Sequence, residues 1–148
     1  MAFNIMVVDD SETMRSVVKR VVEMSGVPVG EFYEAADGRQ ALAIVEKEWV
    51  DVILSDINMP EMGGMELLKE IVSNDDFKRI PVIFITTESS AARMDAADKL
   101  GVAGYVTKPF VPETIKAVLL DVLEKAYKVK REDLVQEIGD VQDDNFDF

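Results

Sequence analysis

The chain has 148 residues, a net charge of −13, and neither Cys nor His. Its length suits one domain with its own core, and the two missing residue types exclude disulfides, thiolate chemistry, the usual zinc ligands and a phosphohistidine on this chain. The acidic balance argues against a nucleic-acid surface, and no apolar run approaches the roughly 18 residues of a membrane span. No basic, signal-like segment opens the chain, so a soluble cytoplasmic protein is expected.

In chain order, strand-like and helix-like segments take turns. Phe3 to Val8 is an apolar run that reads as a buried strand. Met14, Val17, Val18, Val21 and Val22 recur on one face of a helix that Gly26 and Pro28 stop. Phe32 to Ala35 reads as a short second strand, Asp37-Gly38 as a turn, and Ala41, Leu42 and Val45 as a second helix. Val52 to Leu54 is a third strand, and the breaker-rich stretch Asn58 to Gly64 is a loop. Leu67, Leu68, Ile71 and Val72 mark a third helix, and Pro81 opens the strand Val82 to Ile85. A weaker helix covers Ser90 to Leu100, and Val102 to Val106 is a fifth strand. Pro112 starts a last helix carrying Ile115, Val118, Leu119, Val122 and Leu123.

Strands alternate with helices, and several strands are continuously apolar. Both features favour a parallel sheet covered by helices on both faces, an α/β doubly wound fold. Function in such sheets lies beyond the carboxyl ends of the strands. That rule selects Asp9, Asp10, Asp56, Thr86, Thr87 and Lys108. About two helix–strand units separate Asp10 from Asp56, and one each separates Asp56 from Thr86 and Thr86 from Lys108. All therefore converge on neighbouring strand tips. Carboxylates brought together there repel, by roughly 4 kcal/mol at ~4 Å and an effective dielectric near 20. A cation relieves that cost, and hard oxygen ligands suit Mg²⁺. A carboxylate facing Mg²⁺ is also a nucleophile toward phosphorus, giving an acyl phosphate. Each residue also has a plainer role. Asp is a good helix N-cap, Asp56 suits a solvated loop, Thr favours strands, and Lys is usually a surface charge.

The segments VVDDSETMR at 7–15, SDINMPEMGGMELL at 55–68, ITTES at 85–89 and GYVTKPF at 104–110 together resemble the receiver domains of two-component response regulators. Among these they most resemble the stand-alone chemotaxis regulators. The resemblance spans roughly residues 3–127. It implies a flavodoxin-like, five-stranded parallel sheet in the order 2-1-3-4-5. Asp56 would be the phosphoacceptor, with Mg²⁺ held by Asp9, Asp10, Asp56 and the backbone carbonyl of Asn58. Lys108 would contact the phosphoryl group, and Thr86 and Tyr105 would form the switch. Asn58 and Glu88 would tune self-dephosphorylation, and the Lys108–Pro109 peptide would be cis. Met14 and Arg15 match the start of the first helix. Thr87 departs from the small residue usual at its position and is expected to slow dephosphorylation.

The implied partners are a histidine kinase that donates the phosphoryl group, the flagellar motor switch and a phosphatase. The implied protein is no classical enzyme but catalyses its own phosphorylation and dephosphorylation. A phosphate sink or phosphorelay shuttle would share every pocket residue. A phosphoaspartate-forming phosphatase would need Asp-x-Asp on one strand tip. An FMN binder would need a Ser/Thr/Gly-rich loop where this chain has Asp9-Asp10-Ser11-Glu12.

Residues 1–128 are expected to form the receiver domain and 129–148 an acidic extension. From Glu132 onward that extension carries acidic residues at 132, 133, 137, 140, 143, 144 and 147 and no basic one. Leu134, Ile138 and Val141 suggest a short helix, with disorder beyond Gly139. A monomer is expected, with the extension as the candidate route to a dimer.

Overall fold

The computed structural model describes residues 2–130 and 134. Its elements, in chain order, are β1 (Phe3–Val8), α1 (Glu12–Ser25), β2 (Val29–Ala35), α2 (Gly38–Lys47), β3 (Val52–Ser55), α3 (Gly64–Ser73), β4 (Val82–Thr86), α4 (Ala91–Leu100), β5 (Gly104–Thr107) and α5 (Pro112–Tyr127). The five strands pair in parallel in the order β2-β1-β3-β4-β5. This is the doubly wound, flavodoxin-like arrangement expected from the sequence.

The continuous apolar character of the strands has a direct cause. Successive strand side chains point to opposite faces, and here both faces are buried. Phe3, Ile5 and Val7 of β1, Val52 and Leu54 of β3, and Ile83 and Ile85 of β4 pack with α1 and α5 on one face. Met6 and Val8, Ile53, and Val82 and Phe84 pack with α2, α3 and α4 on the other. Before the strand ends, the one polar residue in these strands is Asn4 of β1, which is half-buried and donates from Nδ2 to the Trp49 carbonyl.

Local sequence fixes the element ends. Ser11 caps α1, accepting from the Met14 N–H, and Gly26 closes it in the left-handed conformation, φ 81°. Asp37, read as part of a turn, is the N-cap of α2 and accepts from the Gln40 N–H. Ser90 does the same for α4. Helix α4 buries only Ala97, which accounts for its faint sequence signal.

Three expectations shift. Val17 lies in the apolar stripe of α1 yet is 41% exposed, because the buried face is narrower than the stripe. Strand β2 begins at Val29, three residues before its expected start. Strand β5 begins at Gly104, so Val102 and Ala103 precede it. The Val102 N–H still bonds to the Ala97 carbonyl of α4.

Beyond α5, Lys128 adopts the left-handed region, φ 54°. Leu134 then packs into the core beside α1 and α5 at 3% exposure, and its N–H bonds to the Lys130 carbonyl. The expected helix through Ile138 and disorder beyond Gly139 fall outside the described residues.

Candidate functional site

The site is built by extending the parallel pairing one step past the strand ends. The Asp9 N–H bonds to the Ala35 carbonyl at 3.0 Å, the Asp56 N–H to the Val8 carbonyl at 2.9 Å, and the Lys108 N–H to the Thr86 carbonyl at 2.7 Å. Those bonds set Asp9, Asp56, Thr86 and Lys108 on adjacent strand tips at the carboxyl edge of the sheet. Carboxylate oxygens of Asp9, Asp10 and Asp56 lie within 4.8 Å of one another. Asp9 is buried, Asp56 half-buried and Asp10 exposed.

The carboxylates are tied individually. Asp9 Oδ1 accepts from the Ser11 N–H at 2.9 Å, and Asp56 Oδ1 from the Ile57 N–H at 2.7 Å. Since Ser11 is the helix cap, Asp9 and Asp10 are not spent on capping α1. Lys108 Nζ donates to Asp9 Oδ2 at 3.0 Å and to Asp56 Oδ2 at 3.3 Å. These side chains are 13%, 6% and 13% exposed respectively, so Lys108 is a half-buried counter-ion. One ammonium against three carboxylates leaves excess negative charge at the mouth, where Asp10 meets water. The donor set is entirely oxygen, which suits a hard divalent cation.

The loop after β3 folds against the back of this pocket. The Gly64 N–H bonds to the Ile57 carbonyl at 2.8 Å. A Cβ on Gly64 would lie 2.3 Å from the Asp56 carbonyl oxygen, so only glycine lets α3 start this close to Asp56. Lys108–Pro109 is cis, in line with the resemblance.

Thr86 is fully buried, and its Oγ1 accepts from the Glu88 N–H at 3.2 Å. The Tyr105 hydroxyl donates to the Glu88 carbonyl at 2.6 Å, and its ring meets Phe84 edge-on at 5.9 Å. Burial, then the nearby Glu88 carboxylate, raises the Tyr105 phenol above its ordinary value. Asn58 and Thr87 are exposed and Glu88 half-buried. The structure thus gathers Asp9, Asp10, Asp56 and Lys108 in one cluster and joins Thr86, Glu88 and Tyr105 in a second.

Sequence reasoning gave no role to Arg15. Its Nη1 donates to the Asp9 carbonyl at 2.7 Å, and its Nε pairs with Glu34 Oε1 at 2.9 Å. A charged Glu34 inside the strand signal Phe32–Ala35 was the available hint.

The sequence profile of the response regulator receiver domain matches residues 5–120. The chain belongs to that family. The receiver domain is 40% identical over 120 residues to a chemotaxis protein CheY homolog of Campylobacter jejuni, a match covering 80% of this chain and 91% of that one. It is similar to the solved structure of the chemotaxis response regulator CheY4 of Vibrio cholerae, with 37% identity and a TM-score of 0.74 over 83% of this chain and all (100%) of that one. The Mn²⁺-bound form of response regulator Rcp1 is similar too, with 29% identity and a TM-score of 0.68 over 82% of this chain and 92% of that one. Among the described residues, no helix of this receiver domain is long and apolar enough to cross a membrane.

Proposed function

We propose that this receiver domain accepts a phosphoryl group on Asp56 from a phosphohistidine of a histidine kinase and thereby switches a protein-binding surface in chemotaxis control. The observation that carries the reading is Lys108 bridging Asp9 and Asp56 beside a third carboxylate, Asp10. Asp9, Asp10 and Asp56, with the backbone carbonyl of Asn58, would hold Mg²⁺. When bound, the ion supplies positive charge to the phosphoryl oxygens.

The chain's own residues do the rest. A carboxylate oxygen of Asp56 attacks phosphorus; the new P–O bond forms as the P–N bond to the kinase imidazole breaks, and the imidazole keeps the electron pair and takes up a proton. Lys108, freed from Asp56, pairs with a phosphoryl oxygen as a compact point charge. The Thr86 hydroxyl turns to donate to another, drawing on the Glu88 N–H that it now accepts from. Tyr105 is bonded to the same Glu88 backbone, so the movement reaches the surface of α4, β5 and α5. Phosphorylation shifts a two-state equilibrium by the difference in these contacts between states. Water then releases the phosphoryl group, with Asn58, Thr87 and Glu88 at the mouth setting the rate.

The chemotaxis names of similar proteins support the flagellar motor switch as target, with a phosphatase as a further partner and the cytoplasm as location. The Mn²⁺-bound relative supports a divalent ion at the acidic cluster.

The test is incubation with a small-molecule acyl phosphate donor and Mg²⁺, followed by intact-mass measurement. Wild type should gain one phosphoryl group that hydroxylamine releases, and Asp56→Asn should gain none. An unmodified wild type overturns the reading. Binding of the isolated motor switch protein by the phosphorylated form over the unphosphorylated form tests the output.

A further inference from the structure

We infer that Arg15 is a positioning residue for the acidic pocket: anchored by Glu34, it holds the Asp9 carbonyl so that Asp9 and Asp10 present their carboxylates together. The inference rests on the cation-binding role proposed for these residues.

Asp9 is held on both sides of its Cα. Its N–H bonds to Ala35 of β2, and its carbonyl accepts from Arg15 Nη1 at 2.7 Å. That carbonyl belongs to the same rigid peptide unit as the Asp10 N–H. Fixing it orients the planar link between the two acidic residues, and with it the direction from which the Asp10 side chain projects beside that of Asp9. The guanidinium is itself fixed. Its Nε is 2.9 Å from Glu34 Oε1, and Lys19 Nζ is 3.1 Å from Glu34 Oε2. Arg15's side chain is only 16% exposed. These cations hold the Glu34 carboxyl below its ordinary value, Arg15 contributing most. A planar fork reaching a carbonyl with one arm and a carboxylate with another is a geometry that Lys does not reproduce.

Two effects of Arg15 on a bound cation have opposite signs. Its charge repels the cation, whereas its hold on the Asp9–Asp10 link orders the ligands. Substitution separates them. Mg²⁺ binding to the full chain is measured by calorimetry for wild type, Arg15→Ala, Arg15→Lys, Glu34→Gln and the Arg15→Ala/Glu34→Gln pair. If positioning dominates, Arg15→Ala and Arg15→Lys each weaken Mg²⁺ binding by about tenfold, as loss of a group that orients a metal ligand does. Glu34→Gln weakens it less and adds nothing in the Arg15→Ala background. The Mg²⁺ concentration for half-maximal Asp56 phosphorylation rises in parallel, while the rate at saturating Mg²⁺ stays near wild type. Tighter binding by Arg15→Ala, or wild-type binding by Arg15→Lys and Glu34→Gln, overturns the inference. Should Arg15→Ala fail to fold, the Lys and Gln variants carry the test. A wild type that takes up neither Mg²⁺ nor phosphoryl group overturns the proposed function along with it; normal wild-type binding with indifferent variants sinks this inference alone.

Discussion

The phenol of Tyr105 donates to the backbone carbonyl of Glu88 at 2.6 Å, tying the middle of β5 to the loop that follows β4. The N–H of the same Glu88 donates to Thr86 Oγ1. One residue's backbone therefore joins the buried hydroxyl to the aromatic ring. Tyr105→Phe keeps the edge-on contact with Phe84 and removes only the hydroxyl. The expected cost is about 0.5–1.5 kcal/mol, the net worth of one such bond. Denaturant unfolding reads the loss, and hydrogen exchange should show the Glu88 amide opening faster. If stability and exchange both match wild type, the bond does not tie this loop.

Thr87 follows the buried Thr86 and is exposed at the mouth of the site. We propose that its branched side chain hinders the approach of water to Asp56. Thr87→Ala is expected to speed loss of the phosphoryl group by a few-fold and to leave unfolding stability near wild type, because the side chain is not part of the core. The decay of phosphorylated protein after donor removal measures this. Equal decay rates for the two forms remove Thr87 from the list of tuning residues.

What the sequence made legible divides along physical lines. Strands β3 and β4 and residues 5–8 of β1 were readable because both faces are covered, which leaves an unbroken apolar run ending in a polar tip. The same logic exposed Asp9, Asp56 and Thr86 at the tips of those strands. Strand β2 was read short because it lies at the sheet edge. Its first residues, Val29, Gly30 and Glu31, are half-buried or exposed and give no apolar run. The start of β5 was misplaced because Gly101 ends α4 in the left-handed region and Val102 still bonds back to that helix. Arg15 was invisible as a supporting residue because its partner lies on β2. Nothing in a local pattern shows that β2 pairs beside β1.

Alkaline pH is expected to destabilise the fold above about pH 10. Tyr33, Tyr105 and Tyr127 are all raised above the ordinary value of 10.0, in each case by burial first. For Tyr127 the Asp51 carboxylate adds to this; its hydroxyl donates to the Asp51 carbonyl. A group whose folded pKa is raised contributes stability that is fully present below the unfolded value and lost as pH rises through the folded one. Tyrosinate absorbance of the native protein should therefore appear later than that of the unfolded chain, and the denaturation midpoint should fall across that interval. Tyr127→Phe should make the fall shallower. A native titration that coincides with the unfolded one contradicts the expectation.

Leu134 tests how far the folded unit extends. It lies beyond the residues matched by the family profile, yet it is buried beside α1 and α5. Truncating a buried Leu to Ala removes transfer energy and leaves a cavity, for a cost of about 2–5 kcal/mol. Leu134→Ala is expected at the lower end, because a terminal segment relaxes into the space more easily than a core strand. Chemical denaturation measures the change. An effect below about 0.5 kcal/mol, the range of ordinary surface substitutions, would place the segment outside the folded unit.

Asp10 separates the pocket's repulsion from its use. It is the exposed member of the three-carboxylate cluster, so its repulsion is largely screened: about 1 kcal/mol per pair at ~4 Å in a water-like dielectric. Asp10→Asn is expected to raise stability in metal-free buffer by up to about 1 kcal/mol, since one of the mutually repelling charges is gone. Mg²⁺ should reverse the order. A ligand that binds only the folded state at one hundred times its Kd adds about 2.7 kcal/mol. Wild type gains that increment, whereas the Asn variant, one anionic ligand short, needs far more Mg²⁺ to gain it. The two stability curves plotted against Mg²⁺ concentration should therefore cross. Parallel curves would mean that Asp10 takes no part in holding the ion, and the cation site would have to be rebuilt from Asp9, Asp56 and the Asn58 carbonyl.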